Sequence, residues 1–312
     1  METDVPDLYL LIFREISGLG FKRIQQIFNK FQSFQNAFNS PLDDYKDIIK
    51  EKKILDDIKN LINNKEKTIT KVKELNRMLR QNQIYFISFF NKKFPENLKR
   101  IDNPPIGLYF KGNFLFNELE KSVSIIGTRN PSFYGHKKAR SIAKELAENG
   151  YIIISGLARG IDLEAHIGAL DGGGKTIAVL GAGIDKIYPE EHSNLAEDII
   201  KNGAIVSEFG IDQNVKKFNL VNRNRIVSGL SSASLIIEGD LDSGTRHEAN
   251  FAKEQNKLIF VLKPLDLDRK VSQLPISLIK NNAIEIESSA DILKCLNSKT
   301  IIKEQANLKE VN

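Results

Sequence analysis

Ser122-Val123-Ser124-Ile125-Ile126-Gly127-Thr128-Arg129-Asn130-Pro131, followed by Tyr151-Ile152-Ile153-Ile154-Ser155-Gly156-Leu157-Ala158-Arg159-Gly160-Ile161-Asp162, decides the fold. Two short β-branched runs flank a segment with helical spacing, which is the pattern of a parallel βαβ unit. Each run breaks into a turn of small residues that carries an arginine. In open α/β sheets such turns lie at the carboxyl ends of the strands, where ligands are held. Glycine lets backbone N–H groups approach a phosphate and arginine adds a charged fork. The chain therefore reads as built to hold a phosphorylated ligand.

Working outward, strands are expected at 123–127, 151–155, 176–181, 204–207, 234–238 and 258–262, with a last one at 283–286. Segments near 135–149, 160–170, 191–202, 220–229 and 245–256 carry helical spacing, and a final helix is expected at 290–296. That alternation predicts a doubly wound, Rossmann-like parallel sheet with helices on both faces. Ahead of it, Leu8 to Ile16 reads as an apolar helix and Ser17-Gly18-Leu19-Gly20 as a turn. Ile24, Ile27, Phe28 and Phe31 recur on one helical face, and residues 54–80 read as one or two helices broken near Asn63-Asn64. The expected organisation is a helical domain over 1–82, connecting strands laid against the main sheet over 83–120, the α/β domain over 121–298, and a polar tail over 299–312.

Composition narrows the function. A net charge of +5 mildly favours an anionic partner, although a solvated lysine surface accounts for it equally well. The single cysteine, Cys295, permits no internal disulfide and fits a reducing compartment. No apolar run approaches the ~20 residues of a membrane span, and an N-terminus starting with Glu2 and Asp4 does not read as a signal peptide. A cytoplasmic location without membrane contact is expected.

Several chemistries fail on spacing. Gly174-Lys175-Thr176 lacks the first glycine of a P-loop, since Ala169 stands there, and it leads into a strand. His247-Glu248 lacks the second histidine of a zinc protease, the four histidines are scattered, and no G-x-S-x-G elbow or G-x-G-x-x-G fingerprint is present. No cofactor and no metal are expected. The positive signal is convergence. Arg129, Arg159, Gly181 to Asp185, Lys216-Lys217-Phe218, Asn222 to Arg225 and Asp242 to Arg246 follow five strands whose carboxyl ends share one side of the sheet.

These residues resemble the DNA-processing protein DprA/Smf family. The likeness is carried by Ile125 to Pro131 with Tyr134-Gly135, by Ser155 to Asp162 with His166, and by Lys175 to Gly181. It continues through Asp185 with Tyr188-Pro189, Ser207-Glu208, Arg223-Asn224-Arg225-Ile226-Val227 to Ser231, and Ser243-Gly244. It runs in order over about 121–262 and weakly back to 84, and the N-terminal helices are similar to the SAM-like or helix-hairpin-helix module of many members. The resemblance implies an extended Rossmann fold that binds single-stranded DNA and hands it to a RecA-type recombinase during natural transformation. It implies a homodimer and no enzymatic activity. Carried over by motif, Arg129, Lys217, Arg223 and Arg225 would bind phosphates beside Arg159. Gly127, Ser155, Gly156 and Gly244 would supply close-approach backbone, and Phe218 would stack a base.

The chain departs from the family pattern in places. Phe209-Gly210 stands where a Tyr/Phe-Pro is usual, and Ser243-Gly244-Thr245-Arg246-His247-Glu248-Ala249 replaces Ser-Gly-Ser-Leu-Ile-Thr-Ala. Val271 to Ile279 replaces a glycine-rich segment, and no winged-helix domain follows. Gly244-Thr245-x-x-Glu248 is in turn similar to half of the motif of LOG-type nucleotide phosphoribohydrolases, which leaves that activity, or a nucleotide-signal sensor, as an alternative. In the DNA-binding reading, Glu248 is expected to turn aside from phosphates, pair with a base such as Arg246, or simply favour the positive helix N-terminus.

Overall fold

The N-terminal apolar periodicities form helices α1 (Val5–Phe13), α2 (Phe21–Phe31), α3 (Phe34–Asn39), α4 (Lys52–Asn63) and α5 (Lys65–Gln81). The structure is a computed structural model that describes residues 5–114 and 118–298; the tail expected over 299–312 lies outside the described residues. The expected break falls at Asn64, between α4 and α5. Helix α1 stops at Phe13, three residues earlier than its apolar run, and the turn that follows places Gly18 at φ +88°, a left-handed conformation that glycine adopts freely. Strands β1 (Tyr85–Ser88) and β2 (Gly107–Gly112) pair antiparallel. Helix α1 is tied to this hairpin by Asp7, whose carboxylate accepts from the Ser88 hydroxyl at 2.8 Å. Aromatic rings fill the core: Phe28 stacks on Phe90 at 4.3 Å between centroids, and Phe13 meets Phe34 at 5.9 Å. Each such ring buried adds roughly 1.5–3 kcal/mol to folding.

The chain divides into two units, Met1–Phe94 with Pro105–Lys111, and Pro95–Pro104 with Gly112–Asn312. The stretch read as one connector is thus shared, with the short helix α6 (Glu96–Lys99) belonging to the second unit.

The second unit is built on seven strands, β3 (Ser122–Ile126), β4 (Ile152–Ser155), β5 (Thr176–Gly183), β6 (Gly203–Phe209), β7 (Ala233–Ile236), β8 (Leu258–Leu262) and β9 (Ile284–Ile286). They lie in the order β6-β5-β4-β3-β7-β8-β9, and every neighbouring pair is parallel. The central strands are buried along their whole length, which is why they read as continuous apolar runs rather than alternating ones. Helices α7 (Phe133–Glu148), α8 (Ile161–Asp171) and α9 (Ser193–Asn202) return the chain from β3 to β6. Helices α10 (Lys217–Asn222), α11 (Asn224–Leu230), α12 (Gly244–Glu254) and α13 (Gln273–Lys280) follow the later strands. A last helix over residues 289–298 packs Ile292 into the core with Ile142, Leu146 and Phe260.

The strand order reverses between β3 and β7. The chain leaves β3 toward β4 on one side and returns to β7 on the other, which opens a crevice between their carboxyl ends. Two expectations are corrected here. The single helix expected over 220–229 is two helices, because Arg223 turns inward at their joint. The segment from Val271 to Ile279, read only as a replacement, includes most of α13. Among the described residues, no helix is long and apolar enough to cross a membrane.

Candidate nucleic-acid interface

The loop after β3 presents Arg129, and its neighbours fix its shape. The Thr128 N–H donates to the carbonyl of Glu238 at the end of β7, at 2.8 Å. The buried Glu238 carboxylate accepts from the N–H of Ser132 at 2.8 Å and from its hydroxyl at 2.6 Å. Ser132 in turn caps α7 by accepting from the Gly135 N–H. From the other side, the loop after β4 presses in at Gly160, where φ is +77° and a Cβ would overlap the backbone of Thr128 and Arg129. Only glycine meets both demands.

Two adjoining recesses open at this edge. A narrow slot of about 40 Å³ is lined by Leu180, Ala182, Tyr188, Pro189 and Leu220, with Arg129 and Arg159 above them. A wider cleft of about 720 Å³ runs from Arg129 and Lys217 to Asp162, Thr245 and Glu248. Arg129, Ala158, Tyr188, Leu220 and Arg223 line both. All five expected strand ends therefore contribute.

The predicted site residues divide by environment. Arg129 and Lys217 are exposed and line the cleft, and neither has a hydrogen-bond or carboxylate partner among the described residues. Arg159 lines the slot but is held by Glu191 through two hydrogen bonds of 2.7 and 2.9 Å. Phe218 is 74% exposed and lies outside both linings. Gly244 lines the cleft with open space around it, so a side chain there would meet nothing.

The remaining assignments are corrected by burial. Arg223 lines both recesses but is 5% exposed, and its guanidinium is spent inside the protein. It donates to the carbonyls of Gly156 and Val179 and to the Asn224 side chain, and it lies 3.7 Å from the Asp162 carboxylate. Gly156 is glycine to admit that guanidinium, which a Cβ would overlap. Gly127 lines the cleft, and a Cβ there would overlap Ile161 and the Glu238 carbonyl. The buried hydroxyl of Ser155 donates to the Ile125 carbonyl at 2.7 Å. Arg225 does not line either recess: it forms a bidentate pair with Glu208 at 2.9 and 2.6 Å and donates to the Asn103 carbonyl at 3.0 Å. Its expected phosphate contact gives way to a structural role, because a buried guanidinium keeps its carboxylate partner.

The floor of the cleft holds two acids. Asp162 accepts from the Ala158 N–H of its own turn at 3.3 Å and is buried beside Arg223. Burial pushes its carboxyl up, against the pull of Arg223 and of the Ala158 and Gly156 N–H groups. Glu248, expected to turn aside, to pair with a base such as Arg246 or simply to favour the positive helix N-terminus, lines the cleft at 1% exposure near the start of α12, while Arg246 donates to the Leu241 carbonyl. Desolvation and the neighbouring Asp162 push the Glu248 carboxyl well above its usual range. One buried guanidinium thus lies beside two carboxyls, both of which burial pushes up. The histidines are less scattered than they read. His166 and His192 lie close enough to interact beside Arg223, and burial with the Arg223 charge holds His166 neutral, with a pKa lowered to about 3.

Known proteins place this architecture. The model of the family described as DNA recombination-mediator protein A matches residues 85–297. The DNA processing protein DprA of Bacillus subtilis (strain 168) is 34% identical over 222 residues, covering 71% of this chain and 74% of that one. Protein Smf of Escherichia coli (strain K12) is 37% identical over 219 residues, covering 70% of this chain and 58% of its own length. Among solved structures, DNA processing protein A from Streptococcus pneumoniae superposes with a TM-score of 0.76 at 28% identity, over 94% of this chain and 98% of that one. The Helicobacter pylori protein, described for its single-stranded DNA binding mode, superposes at 0.60 with 32% identity, over 69% of this chain and 96% of that one.

Proposed function

Because the chain belongs to the family of DNA recombination-mediator protein A, we propose that it binds single-stranded DNA at the carboxyl edge of the β3–β9 sheet. The observation that carries this is the pair of exposed cations, Arg129 and Lys217, left without partners at the mouth of a cleft. An unpaired guanidinium held on a fixed loop offers a charge-assisted contact to a phosphate. Phe218, one residue from Lys217 and 74% exposed, supplies a stacking face that any base can use. The related H. pylori protein, described as binding single-stranded DNA, supports the same role here.

The bound strand is handed to a RecA-type recombinase, in the cytosol and from a homodimer. Binding rather than bond cleavage is the activity. Arg129→Ala tests the core of this reading. It should weaken binding of a fluorescent oligo-dT by about 1–3 kcal/mol while the melting temperature stays unchanged. Affinity should fall with salt with a slope of ~0.7 per phosphate neutralised. Equal affinity for duplex and single strand, or no effect of Arg129→Ala, would sink it. Recombinase delivery is tested by strand exchange on DNA precoated with a single-strand-binding protein, with and without this chain.

The position of Glu248 favours a second reading, nucleotide phosphoribohydrolase activity, since that chemistry needs the carboxyl to face the pocket. The glycine pair preceding the motif is replaced by Leu241-Asp242, and no release of base from AMP, GMP or CMP is expected. Release that disappears in Glu248→Ala would establish the hydrolase instead.

A further inference from the structure

The cleft separates its charges by depth. Exposed cations, Arg129 and Lys217, stand at the mouth, and buried acids, Asp162 and Glu248, lie at the floor. A phosphate is therefore held at the mouth; at the floor the Arg223 guanidinium is spent on Asp162 and on the Gly156 and Val179 carbonyls, so among the described residues no free cation is left there for a second anion. Two further observations define what reaches the floor. The Oε1 of Glu248 is buried without a hydrogen-bond partner. Its surroundings offer Ser124 as a hydrogen-bonding neighbour, but the Ser124 hydroxyl is already engaged with that of Ser234 at 2.8 Å. A buried polar atom left unmatched costs free energy until something fills the place, so such atoms in a pocket mark where a ligand completes the structure.

The ligand atom that completes it is a hydrogen-bond donor. Phosphodiester oxygens only accept, and an internal deoxyribose has no free hydroxyl. In single-stranded DNA the remaining donors are the N–H groups of the bases. Resting on the single-stranded DNA reading above, we propose that Glu248 is a base-contacting residue, whose carboxyl oxygen accepts from a nucleobase N–H at the floor of the cleft. The start of α12 supports the same placement, because Gly244 and Thr245 line the cleft and Ser243 makes no side-chain cap.

The experiment compares oligo-dT with the same oligomer built from N3-methylthymidine, in which the only thymine N–H is lost, and with an abasic oligomer. The wild type should bind oligo-dT about 5–20-fold more tightly than the methylated strand, the value of one hydrogen bond to a buried group. Glu248→Gln retains an acceptor oxygen and should keep that preference. Glu248→Ala, which leaves room for the added methyl, and Glu248→Met, which keeps the volume, should both lose it, with the abasic strand bound equally by all variants. Circular dichroism and melting confirm folding, and Met and Gln suffice should Ala not fold. Binding of oligo-dT without preference in the wild type overturns the assignment alone, as does a preference that survives in Glu248→Met. Absence of binding to every strand overturns the DNA-binding reading, and this assignment with it.

Discussion

Truncating Arg225 should cost stability rather than DNA affinity. Its side chain is 5% exposed and that of Glu208 is 15% exposed, and the two share bonds of 2.9 and 2.6 Å. The same guanidinium serves the carbonyls of Asn103 at 3.0 Å and Asn222 at 3.3 Å. Arg225→Ala leaves a largely buried carboxylate without its counter-charge and takes this donor from both the Asn103 and Asn222 carbonyls. Breaking one side of a buried pair costs about 3–5 kcal/mol. In a domain of this size, each kcal/mol lowers the melting temperature by roughly 2–4 °C, so a fall on the order of 10 °C is expected. Thermal and urea melts measure it, and the double variant Arg225→Met/Glu208→Leu should recover part of the loss, because it removes both charges and keeps the volume. A variant that melts within about 2 °C of wild type yet binds oligonucleotide poorly would return Arg225 to the DNA site.

Three further outcomes are expected. His166 takes no proton in the folded state until about pH 3, while the unfolded chain takes one near the ordinary histidine pKa of 6.5; its contribution is therefore lost as pH falls through 6.5. Urea unfolding should show about 2 kcal/mol lost between pH 7 and pH 5 from this group, a slope that His166→Asn removes. Gly156→Ala forces a Cβ into the Arg223 guanidinium and should destabilise by about 1–3 kcal/mol; Gly244→Ala, with nothing nearby, should change stability by less than about 1 kcal/mol. Denaturant titration of the two side by side checks the contrast. Phe218→Ala should leave melting unchanged and weaken oligo-dT binding by about 1–3 kcal/mol; unchanged affinity in fluorescence anisotropy would remove Phe218 from the interface.

The sequence by itself determined the sheet and the edge where the site lies. Runs such as Ile152 to Ile154 and Ile177 to Leu180 are apolar throughout because central parallel strands are buried on both faces, and the spacing between them leaves room only for crossover helices. Strand direction then places every strand-end loop on one side, so Arg129, Lys217 and Gly244 could be brought together on paper. Tertiary structure alone decided which charges face outward. Arg129, Arg223 and Arg225 are the same residue type and all follow strand ends, yet one stands free, one is folded under Gly156, and one is locked to Glu208. The same holds for Glu248. Its place near the start of α12 was legible, but its direction was not. Whether a carboxyl points to solvent or to the floor of a cleft depends on what Asp162, Arg223 and Ser124, far away in the chain, leave unfilled.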